Sequence, residues 1–333
     1  MRLSDLTTLR LGGPASTYIE AATEAAFVSA LTAADEAGQN VLILGGGSNL
    51  VVADEGFDGT VIRVELRGIE PRTSDEGTAV TVAAGENWDA FVAHAVALGW
   101  VGVEALAGIP GTVGATPMQN VGAYGQEVAQ TIREVRVWDR RLKGVRTFMA
   151  EECGFGYRWS RFKADPGRHA ILSVTFGFST GTLSAPIAYS ELARTLGVEV
   201  GERAPLEDVR SAVLGLRRAK GMVLDSADHD TWSAGSFFTN PFVDVAPEGA
   251  PAYPQPDGRV KTSAAWLIEH AGFGKGYGND RVSLSTKHTL ALTNRGAATT
   301  RDLIELAREI REGVVARFGI ELEPEPIFLG CAL

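Results

Sequence analysis

Cysteine is scarce in this sequence, since Cys153 and Cys331 are the only two among 333 residues. Two thiols are too few for a disulfide framework or a cysteine-ligated metal site, and they favour a reducing compartment. Long hydrophobic runs are also lacking: His94 and two glycines interrupt the Ala/Val-rich stretch at 90–103. Met1–Asp5 lacks the apolar core of a signal peptide. We therefore expect a cytoplasmic protein with no bound metal and no membrane insertion.

Basic residues are in the minority, because 31 lysines and arginines against 41 aspartates and glutamates give a net charge of −10. Nucleic acids and anionic membranes are bound through basic surfaces, so we expect neither as a partner. The hydrophobic fraction of 45% and the charged fraction of 22% are typical of a soluble globular chain, not of a disordered, collagenous or coiled-coil one. At roughly 150 residues per domain, the length predicts two domains.

Glycine, in contrast, is abundant: 39 of the 333 residues are glycine. This is about 12% of the chain, against an average of roughly 7%. A first cluster, Gly45-Gly46-Gly47-Ser48-Asn49, follows an apolar run at 41–44 that predicts a buried strand. Successive glycines leave backbone N–H groups accessible to phosphate oxygens, and a diphosphate is a natural ligand for them. The alternative is a tight strand connection that binds nothing.

The context of this cluster argues against the Rossmann dinucleotide fold. That fingerprint requires glycines at the first, third and sixth positions and a helix afterwards. Counted from Gly45, the sixth position is Leu50, and the pattern predicts strands at 50–52 and 60–64 with a turn at 56–59 between them. No room is left for a helix, so the usual nicotinamide-binding fold is disfavoured.

A second cluster occupies residues 108–125 and contains five glycines and two prolines, which give the backbone an irregular course. Thr112, Thr116, Gln119 and Asn120 add uncharged hydrogen-bonding side chains. Such a surface suits a flat ring with polar edges, and a long loop inside a compact domain is usually functional. A rigid structural connection is the alternative.

Hydrophobic spacing and capping residues predict the remaining regular elements. Helices are expected at 23–38, at 87–98, at 205–220 and from the Thr299/Asp302 capping box to Gly319. Strands are expected at 79–83, around Val135 and Val137, and at 171–178. Residues 253–258 predict a turn or short loop.

Three further motifs accompany the glycine clusters and the Thr8–Gly13 opening: FGYRWSRFK at 155–163, GSFFTNP at 235–241 and LEPE at 322–325. In this order and spacing, the motifs resemble the UDP-N-acetylenolpyruvoylglucosamine reductase (MurB) family, in the branch with a substrate-capping tyrosine loop. The resemblance extends over nearly the whole chain.

The resemblance implies the α+β class, with an FAD-binding fold like that of the vanillyl-alcohol oxidase/PCMH superfamily and a smaller α+β substrate-binding domain. The expected FAD-binding domain is 1–202, with two α/β subdomains at roughly 1–66 and 67–202. The substrate-binding domain is expected at 203–320. A C-terminal strand or tail, 321–333, would carry Glu325 back toward the FAD domain.

The resemblance also implies FAD as the cofactor and NADPH as the reducing co-substrate. No histidine stands in an attachment motif, so we expect the flavin to be held non-covalently. The cofactor-binding residues implied by the two glycine clusters are Gly45, Gly46, Gly47, Ser48, Asn49, Ile109, Pro110, Gly111, Thr112, Gly114, Gln119, Asn120 and Gly122.

The implied reaction reduces the enolpyruvyl ether of UDP-N-acetylglucosamine to UDP-N-acetylmuramate in peptidoglycan precursor synthesis. Hydride reaches C3 from reduced FAD, and negative charge develops toward C2 and the carboxylate. Arg158 and Glu325 match the pair that stabilises the enolate in the family, and Ser236 matches the proton donor to C2. A glutamate can help an enolate only as a donor, so Glu325 must carry or share a proton during turnover.

For the nucleotide-sugar substrate, Tyr189, Lys220, Asn240 and His288 occupy positions that resemble the family's contacts. The sequence departs from the family after Glu325, where Pro326 and Ile327 replace the usual valine and arginine. We expect small-molecule partners only, and a monomer. An alcohol oxidase on the same flavin scaffold and a non-enzymatic flavin- or nucleotide-binding protein are the alternatives, and the joint presence of Arg158, Ser236 and Glu325 argues against both.

Overall fold

The computed structural model describes residues 1–74 and 77–333, which form two compact units. The larger unit comprises Ser16–Gly46 and Asp58–Arg218, and the smaller unit comprises Met1–Ala15, Gly47–Phe57 and Ala219–Leu333. Each unit combines segments that are distant in the sequence. The domain ranges expected from the sequence, in contrast, are continuous. The assignment of FAD binding to one range and substrate binding to the other stays a prediction.

Eighteen strands and seven α-helices lie within the described residues. The strands are β1 (Ala15–Ala21), β2 (Val41–Leu44), β3 (Leu50–Val52), β4 (Phe57–Val64), β5 (Ile69–Ser74), β6 (Gly77–Ala83), β7 (Trp100–Val101), β8 (Gly122–Ala123), β9 (Gln126–Glu127), β10 (Ile132–Asp139), β11 (Gly144–Met149), β12 (His169–Thr180), β13 (Phe242–Val243), β14 (Ala252–Pro254), β15 (Val260–Thr262), β16 (Val282–Leu284), β17 (Leu292–Asn294) and β18 (Ile327–Leu329). The helices are α1 (Glu24–Glu36), α2 (Trp88–Ala97), α3 (Arg161–Ala164), α4 (Ser190–Leu196), α5 (Leu206–Ala219), α6 (Ala264–His270) and α7 (Thr300–Phe318).

A three-stranded sheet has the order β1-β4-β2, with β2 and β4 parallel. Helix α1 precedes β2 and begins where the hydroxyl of Thr23 accepts a hydrogen bond from the amide of Ala26, 3.2 Å away. The helix buries Phe27, Leu31 and Ala34, which share one face at helical spacing. The helix expected at 23–38 and the strand expected at 41–44 are confirmed.

A second, antiparallel sheet in the larger unit has the order β11-β10-β12-β6-β5, and β7 pairs with the end of β12. Alternate residues of its central strands are buried, and Phe176 of β12 lies opposite Val80 of β6. Trp88 and Phe91 of α2 pack on this face, with the rings of Phe91 and Phe176 5.2 Å apart. Burial of these aromatic rings provides much of the core of the larger unit.

In the smaller unit, β3 and β18 pair in parallel, β13-β15-β14 form a small antiparallel sheet, and β16 pairs with β17. Helix α7 buries an apolar stripe that includes Leu303, Ile310 and Val314 in the same core as α6. Its capping box is confirmed, because the hydroxyl of Thr299 accepts from the amide of Asp302 and the Asp302 carboxylate accepts from the amide of Thr299.

Two predicted turns were placed wrongly. Residues 57–59 belong to β4, because the chain turns earlier, where the amide of Gly56 donates to the carbonyl of Ala53 at 3.0 Å. Tyr253 and Pro254 belong to β14, and only the following residues form the hairpin turn to β15. Glycine and proline mark both regions correctly, but the pairing partner decides where a turn begins. The expectation of no helix between β2 and β3 is confirmed.

Within residues 1–74 and 77–333, no helix is long and apolar enough to cross a membrane. In the same part of the chain, no group of three or more His, Cys, Asp or Glu side chains is placed to hold a metal ion.

Candidate active site

The two glycine clusters meet backbone to backbone in the larger unit. A Cβ atom on Gly46 would lie 2.6 Å from the Cα of Gly111, and a Cβ atom on Gly45 would lie 2.7 Å from the hydroxyl oxygen of Thr112. Side chains at these positions would force the two loops apart. The contact places two glycine-rich loops side by side, and loops of this kind can present backbone amides to a diphosphate.

The stretch from Ile109 to Gln119 is fixed on the connection between β6 and α2. The amide of Gly114 donates to the carbonyl of Ala84 at 2.9 Å, and the amide of Trp88 donates to the carbonyl of Gly111 at 3.1 Å. A Cβ atom on Gly114 would lie 2.6 Å from the Cβ of Ala84. Residues 113–119 form a 3₁₀ helix, so the predicted long loop contains a short regular element.

Gly47, Ser48 and Asn49 belong to the smaller unit. Gly47 has a φ of +61°, and a Cβ atom there would lie 2.0 Å from the carbonyl oxygen of Leu6. Asn49 contacts the C-terminal strand twice: its carbonyl accepts from the amide of Ile327 at 2.9 Å, and its side-chain amide donates to the carbonyl of Glu325 at 3.3 Å. Asn49 therefore also positions the segment that carries the predicted catalytic glutamate.

Asn120 is buried and has a left-handed backbone, with a φ of +47°. Its side-chain amide donates to the carboxylate of Glu127 at 2.7 Å and to the carbonyl of Gly156 at 3.2 Å, and its oxygen accepts from the amide of Ala129 at 3.1 Å. The side chain is therefore engaged within the larger unit, where it joins the second glycine cluster to the 155–163 motif. Any contact with a cofactor is left to its backbone.

Arg158 stands in a tight turn of the same motif, closed by hydrogen bonds between the backbones of Gly156 and Trp159. Its φ is +52°, a left-handed conformation that a residue with a side chain adopts at a cost and that is concentrated at functional sites. Both terminal nitrogens donate to the carbonyl of Gly122, at 3.4 and 3.3 Å. A residue predicted to bind the cofactor thus orients the predicted catalytic guanidinium.

The turn is also fixed to the second glycine cluster through Ser160. Its buried hydroxyl donates to the carbonyl of Met118 at 2.6 Å and accepts from the amides of Phe162 and Lys163 in the first turn of α3. The side chain of Lys163 donates back to the carbonyl of Arg158 at 3.0 Å. These contacts determine where the backbone of Arg158 lies relative to the predicted flavin loop.

Ser236 and Glu325 lie on neighbouring extended segments of the smaller unit. The amide of Glu325 donates to the carbonyl of Phe237 at 2.9 Å, and the amide of Thr239 donates to the carbonyl of Glu323 at 3.0 Å. The two segments are therefore antiparallel neighbours, although they are distant in the sequence. Both predicted catalytic side chains are half-buried, which leaves them accessible to a ligand.

His288 lies next to the Ser236 segment on its other side. The carbonyl of Leu290 accepts from the amide of Phe237 at 2.7 Å, and the amide of His288 donates to the hydroxyl of Ser285 at 3.3 Å. The chain leading to His288 is held by Asp230, whose carboxylate accepts from the amide and hydroxyl of Thr286 at 3.0 and 2.5 Å. Although burial opposes ionisation of Asp230, these hydrogen bonds keep its pKa below the usual range.

The other predicted substrate residues are divided between the units. Asn240 belongs to the smaller unit, and its side-chain oxygen accepts from the amide of Ala264 at 2.9 Å, which sets the orientation of its amide group. Lys220 belongs to the same unit and directly follows α5. Tyr189 lies in the larger unit, 44% exposed, and its ring makes an edge-on contact with the ring of Tyr124, 5.5 Å between centroids.

The buried ionisable groups in the larger unit that the sequence analysis did not identify include those of Glu104 and Arg217. Glu104 is fully buried. Arg217 precedes Lys220 by three residues, and burial lowers the pKa of its guanidinium, against the opposing influence of Tyr124 and Asp89. A signal for Glu104 is present in the sequence, because it is the single charged residue in the otherwise apolar or glycine run 99–108. The sequence alone gives it no partner.

Comparisons with known proteins identify the family that the chain resembles. One protein-family model, described as an FAD binding domain, matches residues 15–145. A second, described as the C-terminal domain of UDP-N-acetylenolpyruvoylglucosamine reductase, matches residues 226–329.

Similar whole proteins carry the same description. The UDP-N-acetylenolpyruvoylglucosamine reductase of Cutibacterium acnes is 56% identical over 99% of this chain and 90% of its own length. That of Thermobifida fusca is 55% identical over 99% of this chain and 97% of its own length. The crystal structure of the reductase from Thermus caldophilus superposes with a TM-score of 0.69 at 26% identity, covering 99% of this chain and 97% of that one. The expected α+β class and FAD-binding fold are confirmed.

Proposed function

The chain belongs to the UDP-N-acetylenolpyruvoylglucosamine reductase family, and we propose how its own residues carry out the reaction of that family. It is an FAD-dependent oxidoreductase that uses NADPH to reduce the enolpyruvyl ether of UDP-N-acetylglucosamine to UDP-N-acetylmuramate, a precursor of peptidoglycan. When bound, FAD accepts hydride equivalents from NADPH and supplies them to C3 of the enolpyruvyl group.

The two glycine clusters hold FAD without a covalent bond. The close approach of Gly46 to Gly111 supports this role, because the backbones at this contact have no space for a side chain. Backbone amides of 45–49 bind the diphosphate, and the stretch from Ile109 to Gly122, with Pro110, Thr112 and Gln119, lines the rest of the cofactor. Asn120 contributes through its backbone, since its side chain is engaged elsewhere.

Arg158 stabilises the negative charge that develops on the substrate carboxylate and C2. A guanidinium cannot lose its proton, and its planar set of donors matches a carboxylate or an enediolate. The left-handed backbone of Arg158 and the carbonyl of Gly122 fix the orientation of the group before substrate arrives. Preorganised donors of this kind avoid reorganisation during the reaction.

Ser236 donates the proton to C2, and Glu325 in its protonated form contributes to stabilising the enolate. A serine hydroxyl is a weak acid, so this proton transfer requires a strongly basic carbon and a site from which water is excluded. The hydrogen bond between the amide of Glu325 and the carbonyl of Phe237 carries the proposal, because it makes neighbours of the two segments that supply these groups.

The substrate diphosphate is bound by Lys220, Tyr189 and the NH₂ group of Asn240, with His288 as a further contact. A local cation is needed because the chain as a whole has a net charge of −10. The hydrogen bond from Ala264 to the oxygen of Asn240 supports this assignment, since it directs the amide nitrogen to act as donor for a ligand.

Flavin spectroscopy on the purified holoenzyme tests the function. We expect a yellow protein whose flavin is bleached by NADPH under anaerobic conditions. The colour should return when the enolpyruvyl nucleotide is added, still in the absence of oxygen. A protein that lacks flavin and takes none up would contradict the proposal. Flavin that an alcohol reduces, but NADPH does not, would favour the oxidase alternative, and bound flavin without turnover would favour a binding protein.

We further propose that the enzyme is a cytoplasmic monomer. The two cysteines support a reducing compartment, and Cys153 is buried, which raises the pKa of its thiol to about 12 and keeps it unreactive. Sedimentation of the holoenzyme at micromolar concentration tests the monomer: a mass near 35.3 kDa is expected, and a stable dimer would overturn it.

A further inference from the structure

Glu104 is a carboxylate buried at the meeting point of three chain segments. Its side chain is fully buried in the larger unit. One oxygen accepts from the amide of Gly102 at 2.6 Å, and the other accepts from the side chain of Gln126 at 3.0 Å and from the amide of Ala185 at 2.7 Å. The oxygen of Gln126 accepts in turn from the amide of Ala105 at 2.8 Å. One carboxylate thus joins three parts of the chain: residues 102–106, the β8–β9 hairpin and residues 185–189, which we call the Tyr189 segment.

Two of these segments carry residues of the proposed site. The β8–β9 hairpin contains Gly122, whose carbonyl orients Arg158, and the turn of this hairpin contains Tyr124. Ala185 begins the stretch that ends at Tyr189. Glu104 lies between the hairpin and this stretch. It is therefore connected both to the segment that orients Arg158 and to the segment that carries Tyr189.

Farther along, the hairpin and the Tyr189 segment touch again. A Cβ atom on Gly125 would lie 2.8 Å from the Cβ of Ala188, and the Tyr124 ring meets the Tyr189 ring edge-on. Tyr189 is 44% exposed in this contact, whereas the side chain of Glu104 that accepts the hydrogen bonds is fully buried. Hydrogen bonds to a carboxylate that is shielded from water are the stronger of the two connections.

The base of the Tyr189 segment is also fixed by backbone pairing with residues 199–205. The amide of Ser184 donates to the carbonyl of Ala204, and the amide of Ile187 donates to the carbonyl of Glu202, both at 2.8 Å. This pairing orients the segment but does not connect it to the hairpin. Among the described residues, the hydrogen bonds that the Ala185 amide and the Gln126 side chain donate to one carboxylate supply that connection.

We propose that Glu104 is a positioning residue for the nucleotide-sugar substrate, acting through Tyr189 by fixing the Tyr189 segment against the β8–β9 hairpin. The inference rests on the proposed function, in which Tyr189 contacts the substrate. Burying a carboxylate is costly, and an apolar side chain would fill the same space more cheaply. What an apolar side chain cannot do is accept hydrogen bonds from three separate segments and so fix their relative positions.

The test compares Glu104→Gln with Asp139→Asn in the holoenzyme. Both substitutions convert a fully buried carboxylate of the larger unit into an amide, but Asp139 contacts neither the hairpin nor the Tyr189 segment through the hydrogen bonds it makes with Arg168, Arg141 and Leu142. We expect Glu104→Gln to raise the KM for the enolpyruvyl nucleotide about tenfold or more while kcat changes less than threefold. Asp139→Asn should lower the melting temperature and leave KM within twofold of the unmodified enzyme.

A double-mutant cycle with Tyr189→Ala separates positioning from general destabilisation. If Glu104 acts through Tyr189, Glu104→Gln should raise KM by less than threefold when Tyr189 is already absent. An equal effect in both backgrounds, or no effect on KM in the single variant, would overturn the proposal. Failure of the proposed function would look different, because the unmodified enzyme would then not turn over the nucleotide.

A shorter acid provides a second variant in case Glu104→Gln does not fold. Glu104→Asp keeps the charge but cannot reach all three donors, so the same rise in KM is expected at a smaller size, about threefold. A Glu104→Asp enzyme that is less stable but has an unchanged KM would assign Glu104 a purely structural role.

Discussion

The backbone amide of Glu325 donates a hydrogen bond to the carbonyl of Phe237, 2.9 Å away, and so places the segment of Glu325 directly beside that of Ser236. On the other side of the same segment, the amide of Phe237 donates to the carbonyl of Leu290 at 2.7 Å. The proposed proton donor therefore lies on the middle one of three neighbouring chain segments. Backbone bonds on both sides restrict its movement, which suits a group that must meet one carbon atom.

Replacing Ser236 with alanine should separate the two halves of the reaction. Without its hydroxyl, proton transfer to C2 loses its donor, and we expect reoxidation of reduced flavin by the enolpyruvyl nucleotide to slow by at least about a hundredfold. Reduction of the flavin by NADPH needs no such proton and should persist. Stopped-flow absorbance of the flavin measures both rates.

Ser263→Ala is the matched control for that experiment. The hydroxyl of Ser263 accepts from the amide of Trp266 and begins α6 in the same unit, so its loss should cost about 1 kcal/mol of stability without slowing reoxidation. If Ser236→Ala reoxidised as fast as this control, serine would have no part in the mechanism.

Replacing Arg158 with lysine keeps the positive charge and removes the planar guanidinium with its paired N–H donors. A lysine cannot make the two parallel donations to a carboxylate, so we expect the rate of substrate reduction to fall by about 10²–10³. Arg161→Lys in the same motif is the control, because Arg161 stacks on Phe148 at 4.2 Å. Equal rates in the two variants would argue against a catalytic role for the guanidinium of Arg158.

Adding one methyl group at Gly46 should weaken FAD binding. The new Cβ atom would lie 2.6 Å from the Cα of Gly111, so the two glycine loops must separate. We expect the dissociation constant for FAD to rise at least tenfold, or about 1.4 kcal/mol, in a fluorescence titration of the apoprotein. Gly215→Ala in α5 is the control, because nothing lies within 4 Å of the new atom. This variant should bind FAD with an unchanged dissociation constant and unfold at a slightly higher temperature.

Acid should reveal the contribution of Asp139 to stability. Hydrogen bonds from Arg168, against the opposing influence of burial, hold the pKa of the Asp139 carboxyl at about 2, below its ordinary value of 3.8. The ionised form therefore stabilises the fold above about pH 4, and this contribution is lost as the pH falls toward 2. Urea unfolding of the unmodified protein and of Asp139→Asn should give free energies that converge over this range. If the difference between the two free energies of unfolding stayed constant over this pH range, the pKa of Asp139 would not differ between the folded and unfolded states.

Local features were predictable because neighbouring residues determine them. Thr23 caps α1, and Thr299 and Asp302 cap α7, as expected from a few adjacent side chains. The glycine cluster at 45–49 indicated a loop without a following helix, and strand β3 follows it. The turns at 56–59 and 253–258 were misplaced, since the first residues of β4 and β14 depend on partners elsewhere in the chain.

The sequence by itself determined the family, the cofactor and the two glycine loops, because each is encoded in a short run of residues. Only the tertiary structure decided that the side chain of Asn120 is occupied within the fold, that the carbonyl of Gly122 orients Arg158, and that Glu104 joins three segments. These relationships depend on hydrogen bonds between residues far apart in the chain. Such bonds form only once strand pairing has fixed the register, and no local pattern of residues encodes them.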